Sequence, residues 1–244
     1  MPGPSSITWS FGPHPKRLAI KDIIPITLNN LILPISSFID SLLVVNLLTR
    51  NFSQNVSVFL YGLESGAVSS LVSLPTIFSF AIASVILPNI TRLKHNFNKN
   101  ERLTMALKIV YLITIPCVVC FVLIPNRFIS FLYGDRLLTN GLNGTMIASR
   151  LLAISGLGVV FFAVNQVYSS CLQAIDERYV VVRNLLIAIT LKFLIELLFM
   201  PSKIFNIYAL VIANIVCYIT VAVLNHIEIR EKFNFKIHYC LILY

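Results

Sequence analysis

Six long apolar segments, separated by short polar connections, dominate the pattern of this chain. They run over about residues 23–48, 58–87, 103–124, 147–172, 180–200 and 204–224. Each is near or above the roughly 20 residues that an α-helix needs to cross a bilayer. The strands of a membrane β-barrel would instead give short alternating segments. The pattern therefore predicts an all-α integral membrane protein, a bundle of six transmembrane helices.

Composition agrees with this prediction and excludes several classes of function. The 244 residues are 57% hydrophobic and 12% charged, whereas a soluble domain has about 25% charged residues. The net charge of +9 comes from basic residues in the short connections, so nucleic acid is not expected as a partner. The sequence contains neither a phosphate-binding loop nor a loop long enough for paired carboxylates, and it is not expected to be an enzyme. The histidines and cysteines lack metal-ligand spacing, so no metal or other cofactor is expected.

The basic residues also orient the predicted bundle. Lys and Arg are more frequent before the first span, between the second and third, between the fourth and fifth, and after the sixth. By the positive-inside rule these connections are cytoplasmic, which predicts a multi-pass protein of the cell membrane with both termini in the cytoplasm. We expect residues 1–22 to be a disordered or interfacial lead-in, 23–225 the six-helix lobe, and 226–244 a basic cytoplasmic tail.

A stripe of polar residues runs along the first apolar segment. At 100° per residue its members fall within about a third of the helix circumference, opposite Leu, Ile and Val. An ionisable side chain deep in a span costs about 2.5–3.5 kcal/mol on insertion scales, so it usually faces a partner or a cavity. Any single member is equally well explained as a polar contact between helices. As a set, the stripe predicts a hydrated interior lined by Asn29, Asn30, Ser36, Ser37 and Asp40.

Three further charged residues within predicted spans are candidates for this interior. Glu64 follows Gly62, which forms a small-xxx-small face with Gly66. It is either a carboxylate at the headgroup level or part of a cavity wall. Lys192 and Glu196 are four residues apart and share one helix face, so they are either a neutralising pair or part of the cavity. Loss of one partner is expected to destabilise the protein more than loss of both.

Five runs of the chain match a known family in their order and spacing: PITLNNLILPISSFIDSLLV, YGLESGAVSSLVSLPTIFSFAIASVILPNITRLKHN, IPNRFISFLYG, YSSCLQAIDERYVVVRNLLIAITLKFLIELLFMP and NIYALVIANIVCYITVAVLN. On these runs the chain resembles the polysaccharide-exporter and stage V sporulation protein B family over about residues 20–228. This family belongs to the superfamily that also contains the lipid II flippase and the multidrug-and-toxin extrusion antiporters. In the last run Ala209 stands where the family usually has Gly.

The resemblance implies two six-helix lobes around a V-shaped central cavity. Lipid-linked oligosaccharides or cell-wall precursors would cross the membrane through it by alternating access, with coupling by sodium ion, proton or membrane potential. The matched runs are those of the second lobe, so the missing N-terminal lobe or a second copy is expected as a partner besides the bilayer and the lipid-linked saccharide. The residues expected to line the substrate cavity are Asn29, Asn30, Ser36, Ser37, Asp40, Glu64, Lys192 and Glu196.

Two alternatives stay open at this point. The first is a cation-coupled multidrug antiporter of the same superfamily, which would need a cavity richer in carboxylates than one Asp and one Glu. The second is a non-transporting membrane scaffold, such as a degenerate half-transporter. A first lobe encoded beside this chain would argue against the scaffold.

Overall fold

The computed structural model describes residues 20–92, 96–134, 138–139, 142–202 and 205–233. Most of the predicted lead-in and the end of the predicted tail lie outside these ranges. The side chains of residues 28–30 also lie outside the described part, so Asn29 and Asn30 are placed only by their backbone in the first helix.

Helices make up nearly all of the described chain, and the described part of each predicted segment is mostly helical. The strands of the described chain form a two-residue antiparallel pair, Leu138–Thr139 with Leu142–Asn143. The predicted all-α membrane bundle is therefore confirmed. The helices are α1 (Ile20–Leu48), α2 (Gln54–Gly62), a π-helix (Leu63–Val68), α3 (Ser69–Arg92), α4 (Asn96–Leu123), α5 (Pro125–Tyr133), α6 (Gly144–Ala174), α7 (Arg178–Phe199) and α8 (Tyr208–Phe233).

Five helical stretches of the described chain are long and apolar enough to cross a membrane: Leu31–Leu48, Gln54–Thr91, Lys99–Leu123, Gly144–Ala174 and Tyr208–Lys232. Helix α7 has a comparable length of 22 residues, but three charged residues fall in every 18-residue stretch of it. Two of these, Lys192 and Glu196, are buried inside the bundle. The chain is thus a multi-pass membrane protein. Helix α7 differs from the five apolar stretches because it carries more charged residues.

Helix α6 is the centre of the bundle and packs against α3, α4, α5 and α8. Two of its glycines allow the close approach of its neighbours. A Cβ atom at Gly156 would lie 3.1 Å from the Phe121 Cβ on α4, and one at Gly158 would lie 3.1 Å from the Ile215 Cγ1 on α8. Small residues at such crossings bring helix backbones together where lipid supplies no hydrophobic driving force.

Two features differ from the sequence prediction. The second span is interrupted by the π-helix, which begins just after Gly62 and separates α2 from α3. The sixth span was expected to end near residue 224, but α8 continues to Phe233. This extension is stabilised by Ile229, which is buried in a hydrophobic cluster with residues of α3, α4, α6 and α7. It is also stabilised by Lys232, whose Nζ lies 2.5 Å from Glu177 Oε1.

Replacement of Gly158 by leucine should destabilise the bundle, because the new side chain would press on Ile215 and Tyr218 of α8. Overpacking of this kind costs about 1–3 kcal/mol. Denaturant unfolding in mild detergent measures the change. Gly62→Leu is the matched control, since no atom lies within 4 Å of a Cβ at Gly62. Equal stabilities of the two variants would contradict close packing of α6 on α8.

Candidate functional site

A polar cavity of about 290 Å³ lies among α1, the π-helix, α7 and α8. Five of the eight residues predicted from the sequence line it: Ser36, Ser37, Asp40, Glu64 and Lys192. A sixth, Glu196, is fully buried next to Lys192 and does not reach the cavity surface. Asn29 and Asn30 cannot be assigned to the cavity, because their side chains lie outside the described part. The sequence analysis did not select six other polar residues of the lining, namely Tyr61, Ser65, Ser69, Ser155, Asn214 and Tyr218.

The centre of this site is an ion pair between two helices. The Lys192 ammonium on α7 donates a hydrogen bond of 2.5 Å to Asp40 Oδ2 on α1. Glu196 Oε1 lies 3.8 Å from the same nitrogen, which is an ion-pair distance but too long for a hydrogen bond. The exposed fractions are 5% for Lys192, 8% for Asp40 and 0% for Glu196. Lys192 therefore has Asp40 as its closest partner, although the sequence pattern pointed only to Glu196.

Acidic groups outnumber basic groups at this site. Asp40 and Glu196 form ion pairs with the ammonium of Lys192, and Glu64 lines the same cavity. Within the described chain, Asp40 Oδ1 and both carboxylate oxygens of Glu196 have no hydrogen-bond partner. A buried acceptor without a partner costs about 1–3 kcal/mol, and more when it is charged. The arrangement thus supplies acceptors that a proton, a water molecule or a small cation would satisfy. No cluster of three or more metal-ligating side chains occurs in the described ranges.

The π-helix positions Glu64 on the cavity wall. In its wider turn the backbone N–H of Ser69 donates to the carbonyl of Glu64, five residues earlier. Single π-helical turns within longer helices are rare, and those that occur often lie at functional sites. A Cβ at Gly62 or at Gly66 would meet no atom within 4 Å. The predicted small-residue face is therefore present, but no other described helix packs closely on it.

Buried amide groups form a second polar network, which joins α6, α7 and α8. Asn184 Nδ2 donates to Asn225 Oδ1 at 2.9 Å, and Asn225 Nδ2 donates to Asn165 Oδ1 at 2.8 Å. Ser169 Oγ also donates to Asn165 Oδ1. At the surface end, Arg183 donates to Asn184 Oδ1 and to Glu228. The network ties three helices into one unit.

This network borders a smaller cavity of about 80 Å³. The two cavities share the wall residues Leu33, Cys217 and Tyr218, so they lie next to each other within the bundle. A sequence signal for the second cavity existed: polar residues recur along one face of α6 at helical spacing. These residues are Asn165, Gln166, Ser169, Ser170 and Gln173.

Comparison with known proteins identifies one family. A family model described as lipid II flippase MurJ matches residues 5–242. No curated protein and no solved structure matches the chain. The match agrees with the superfamily that the sequence motifs indicated. The narrower resemblance to the polysaccharide-exporter and stage V sporulation protein B family stays a prediction.

Loss of Lys192 should be more damaging than loss of Asp40. Lys192→Met leaves two buried carboxylates without a counter-ion, whereas Asp40→Leu leaves Lys192 beside Glu196. Breaking a buried pair costs about 3–5 kcal/mol, so we expect a loss of that order for Lys192→Met and a smaller loss for Asp40→Leu. Denaturant unfolding of both variants and of Asp40→Leu/Lys192→Met measures the coupling.

The double variant should be more stable than Lys192→Met alone, since it removes one of the two uncompensated carboxylates. Arg183→Gln is the control, because it removes a cation from a more exposed ion pair, with Glu228. Strictly additive effects of the two single substitutions would show that Asp40 and Lys192 do not interact.

Asn225→Leu should also destabilise the protein, because Asn184 Nδ2 would lose its acceptor in a buried position. One orphaned buried polar group costs about 1–3 kcal/mol. The double variant Asn184→Leu/Asn225→Leu should recover part of the loss. Unfolding measurements compare both with Asn46→Leu, which changes an exposed amide of α1. A result for Asn225→Leu equal to that control would contradict the structural importance of the network.

Proposed function

The chain belongs to the MurJ family of lipid II flippases, and we propose that it moves lipid-linked saccharide precursors of the cell wall across the membrane by alternating access. The family is one of transporters, in line with the expectation that the chain is not an enzyme. The observation that carries the proposal is the charged, hydroxyl-lined cavity inside an otherwise apolar bundle. Such cavities near the bilayer midplane are where transporters of this general design bind their substrates.

The depth of the charged groups supports a midplane site. Asp40 lies 8 residues before the end of α1 and Lys192 lies 7 residues before the end of α7, while Glu64 lies 10 residues after the start of α2. At 1.5 Å per residue these separations are about 10–15 Å, and half of the apolar core of a bilayer is about 15 Å. Three helices thus bring charge to a similar depth. In the proposed orientation, with both termini cytoplasmic, the ends of α1 and α7 and the start of α2 all lie at the outer side of the membrane.

A second lobe would complete the cavity. Ser37, Ser65 and Ser69 line it and are exposed, and the face at Gly62 and Gly66 is open. Polar and small residues at a lipid-accessible surface are typical of helix contacts within membranes. We propose that the opposing wall comes from another six-helix unit, in the same polypeptide, in a different chain or in a second copy. The head group of the substrate would then lie between the two walls.

The proposed roles follow from the chemistry of each side chain. The serine hydroxyls and the carboxamide of Asn214 are suited to hydrogen bonds with saccharide hydroxyls. Lys192 supplies the positive charge for a phosphate group. Asp40 holds Lys192 while the site is empty, and a coupling proton or sodium ion would compete with Lys192 for this carboxylate. Release of the pair would loosen α1 from α7 and allow one wall to move against the other.

The carboxylates near the cavity bear on one alternative, the cation-coupled antiport of cationic compounds. That function is expected to have a cavity richer in carboxylates than one Asp and one Glu. The cavity surface carries one of each, Asp40 and Glu64, and a third carboxylate, Glu196, is buried beside Lys192. The two functions differ in the charge of the substrate. A flippase site uses Lys192 to bind a phosphate, whereas an antiporter site uses the carboxylates to bind a cation.

Substitutions in the cavity should reduce transport by protein that is extracted in mild detergent with its natural partners and reconstituted into vesicles. We expect Asp40→Asn and Ser36→Ala to slow translocation of a lipid-linked saccharide by about tenfold, the effect of losing about 1.4 kcal/mol of interaction. The assay measures how much labelled substrate becomes accessible to a reagent outside the vesicles, at equal amounts of folded protein.

Ser84→Ala is the matched control, because Ser84 is exposed on α3, donates within its own helix and does not line the cavity. Unchanged translocation in Asp40→Asn would remove this residue from the proposed site. Efflux of a cationic dye without movement of the lipid-linked saccharide would favour the antiporter.

A further inference from the structure

Away from the central cavity, α3 and α4 enclose a groove of about 410 Å³. Its walls are apolar and include Ala81 and Val85 on α3 and Met105 and Ile109 on α4. The groove faces outward, since Val85 is 62% and Met105 is 55% exposed. None of its lining residues belongs to either polar cavity. It is therefore a separate, outward-facing surface of the lobe.

One end of this groove is polar and basic. Asn89 and Arg102 both line the groove and are both exposed. They lie at the same end, because α3 finishes at Arg92 and α4 begins at Asn96. No carboxylate of the described chain forms an ion pair with Arg102; the neighbouring Glu101 is itself exposed. The polar end of the groove thus offers an arginine whose guanidinium is available to an anion.

The surrounding sequence adds to this positive charge. Between residues 92 and 102 the chain carries Arg92, Lys94, Lys99 and Arg102 against one acidic residue, Glu101. In the orientation proposed above, this connection lies at the cytoplasmic leaflet. Basic sites on that side of a membrane protein, next to apolar grooves between helices, favour anionic lipid head groups.

We propose that the α3–α4 groove binds an anionic phospholipid. An acyl chain lies along the apolar walls, and the phosphate accepts hydrogen bonds from the guanidinium of Arg102 and the carboxamide of Asn89. The planar fork of arginine matches the geometry of a phosphate group. From Arg102 to Ile109 the groove extends for 7 residues of α4, or about 10 Å, which is most of the roughly 15 Å depth of one leaflet.

The charge pattern selects this occupant over others. A zwitterionic phospholipid would fill the same apolar walls, but its choline group would place a second cation near Arg102. A second protein helix would leave the arginine without an anion. The lipid-linked substrate also carries phosphate, so the experiment must separate the tail of that substrate from a bulk phospholipid. The proposal depends on the groove and not on transport through the central cavity.

The test measures binding of phosphatidylglycerol, phosphatidylcholine and undecaprenyl diphosphate to the detergent-purified full chain, by retained lipid in mass spectrometry and by thermal unfolding. Phosphatidylglycerol should bind best and raise the unfolding midpoint. Arg102→Gln should weaken that binding by about tenfold or more, as expected for the loss of a charge-assisted hydrogen bond. Arg150→Gln is the control, since Arg150 is an exposed arginine of α6 outside the groove.

A second pair of variants tests the apolar walls without changing charge. Ala81→Trp fills the groove at an exposed position and should lower retained phosphatidylglycerol, whereas Leu112→Trp, on the exposed face of α4 outside the groove, should not. Equal binding by Arg102→Gln and Arg150→Gln would overturn the phosphate contact. Equal binding of phosphatidylcholine would overturn the preference for an anionic lipid. If undecaprenyl diphosphate binds more tightly than phosphatidylglycerol and Ala81→Trp weakens that binding, the groove holds the substrate tail and the proposal is overturned.

Discussion

The ion pair between Asp40 and Lys192 is the interaction on which the arrangement of this lobe depends. Helix α1 packs chiefly against α7 and α2, and much of its apolar surface, including Leu31, Ile35 and Phe38, is exposed. Lipid is as apolar as these side chains, so hydrophobic burial does little to hold one helix against another inside a membrane. A hydrogen-bonded ion pair has no comparable partner in lipid. It therefore fixes the position of α1 on α7 in a way that the leucines and isoleucines cannot.

The same charges explain the unusual composition of α7. A helix with three charged residues in every 18-residue stretch is a poor span when judged by hydropathy alone. Within the bundle, Lys192 is neutralised by Asp40 at 2.5 Å and by Glu196 at 3.8 Å. The cost of placing these groups at membrane depth is thus offset only when α1 and α7 are together. Residues that weaken a span and are compensated by a neighbour are candidates for function, because stability alone would favour an apolar side chain there.

Local patterns were sufficient to predict the helices and much of the polar cavity. The length of the apolar segments gave the all-α bundle, and the 100° spacing placed Ser36 and Asp40 on one face of α1, where both line the cavity. The spacing of Lys192 and Glu196 predicted a pair, but the closer partner, Asp40, lies 152 residues away in the sequence. No local pattern encodes the register between two distant helices. The π-helix was not predicted either. One wider helical turn does not change which residues of LESGAV are apolar, so the hydrophobic pattern contains no sign of it.

The two polar networks differ in how easily their contacts can be replaced. Asn184 and Asn225 are fully buried between α6, α7 and α8, and separation of these helices would leave amide groups without partners in an apolar surrounding. Asp40 lines a cavity whose rim includes exposed serines, so water or a cation can take the place of Lys192 as its partner. The lobe thus combines a tightly joined three-helix unit with a helix, α1, whose side-chain polar contact to α7 is one exchangeable ion pair. If one wall of the cavity moves during transport, separating α1 from α7 would leave fewer buried amide groups unsatisfied than separating α8 from α6 and α7.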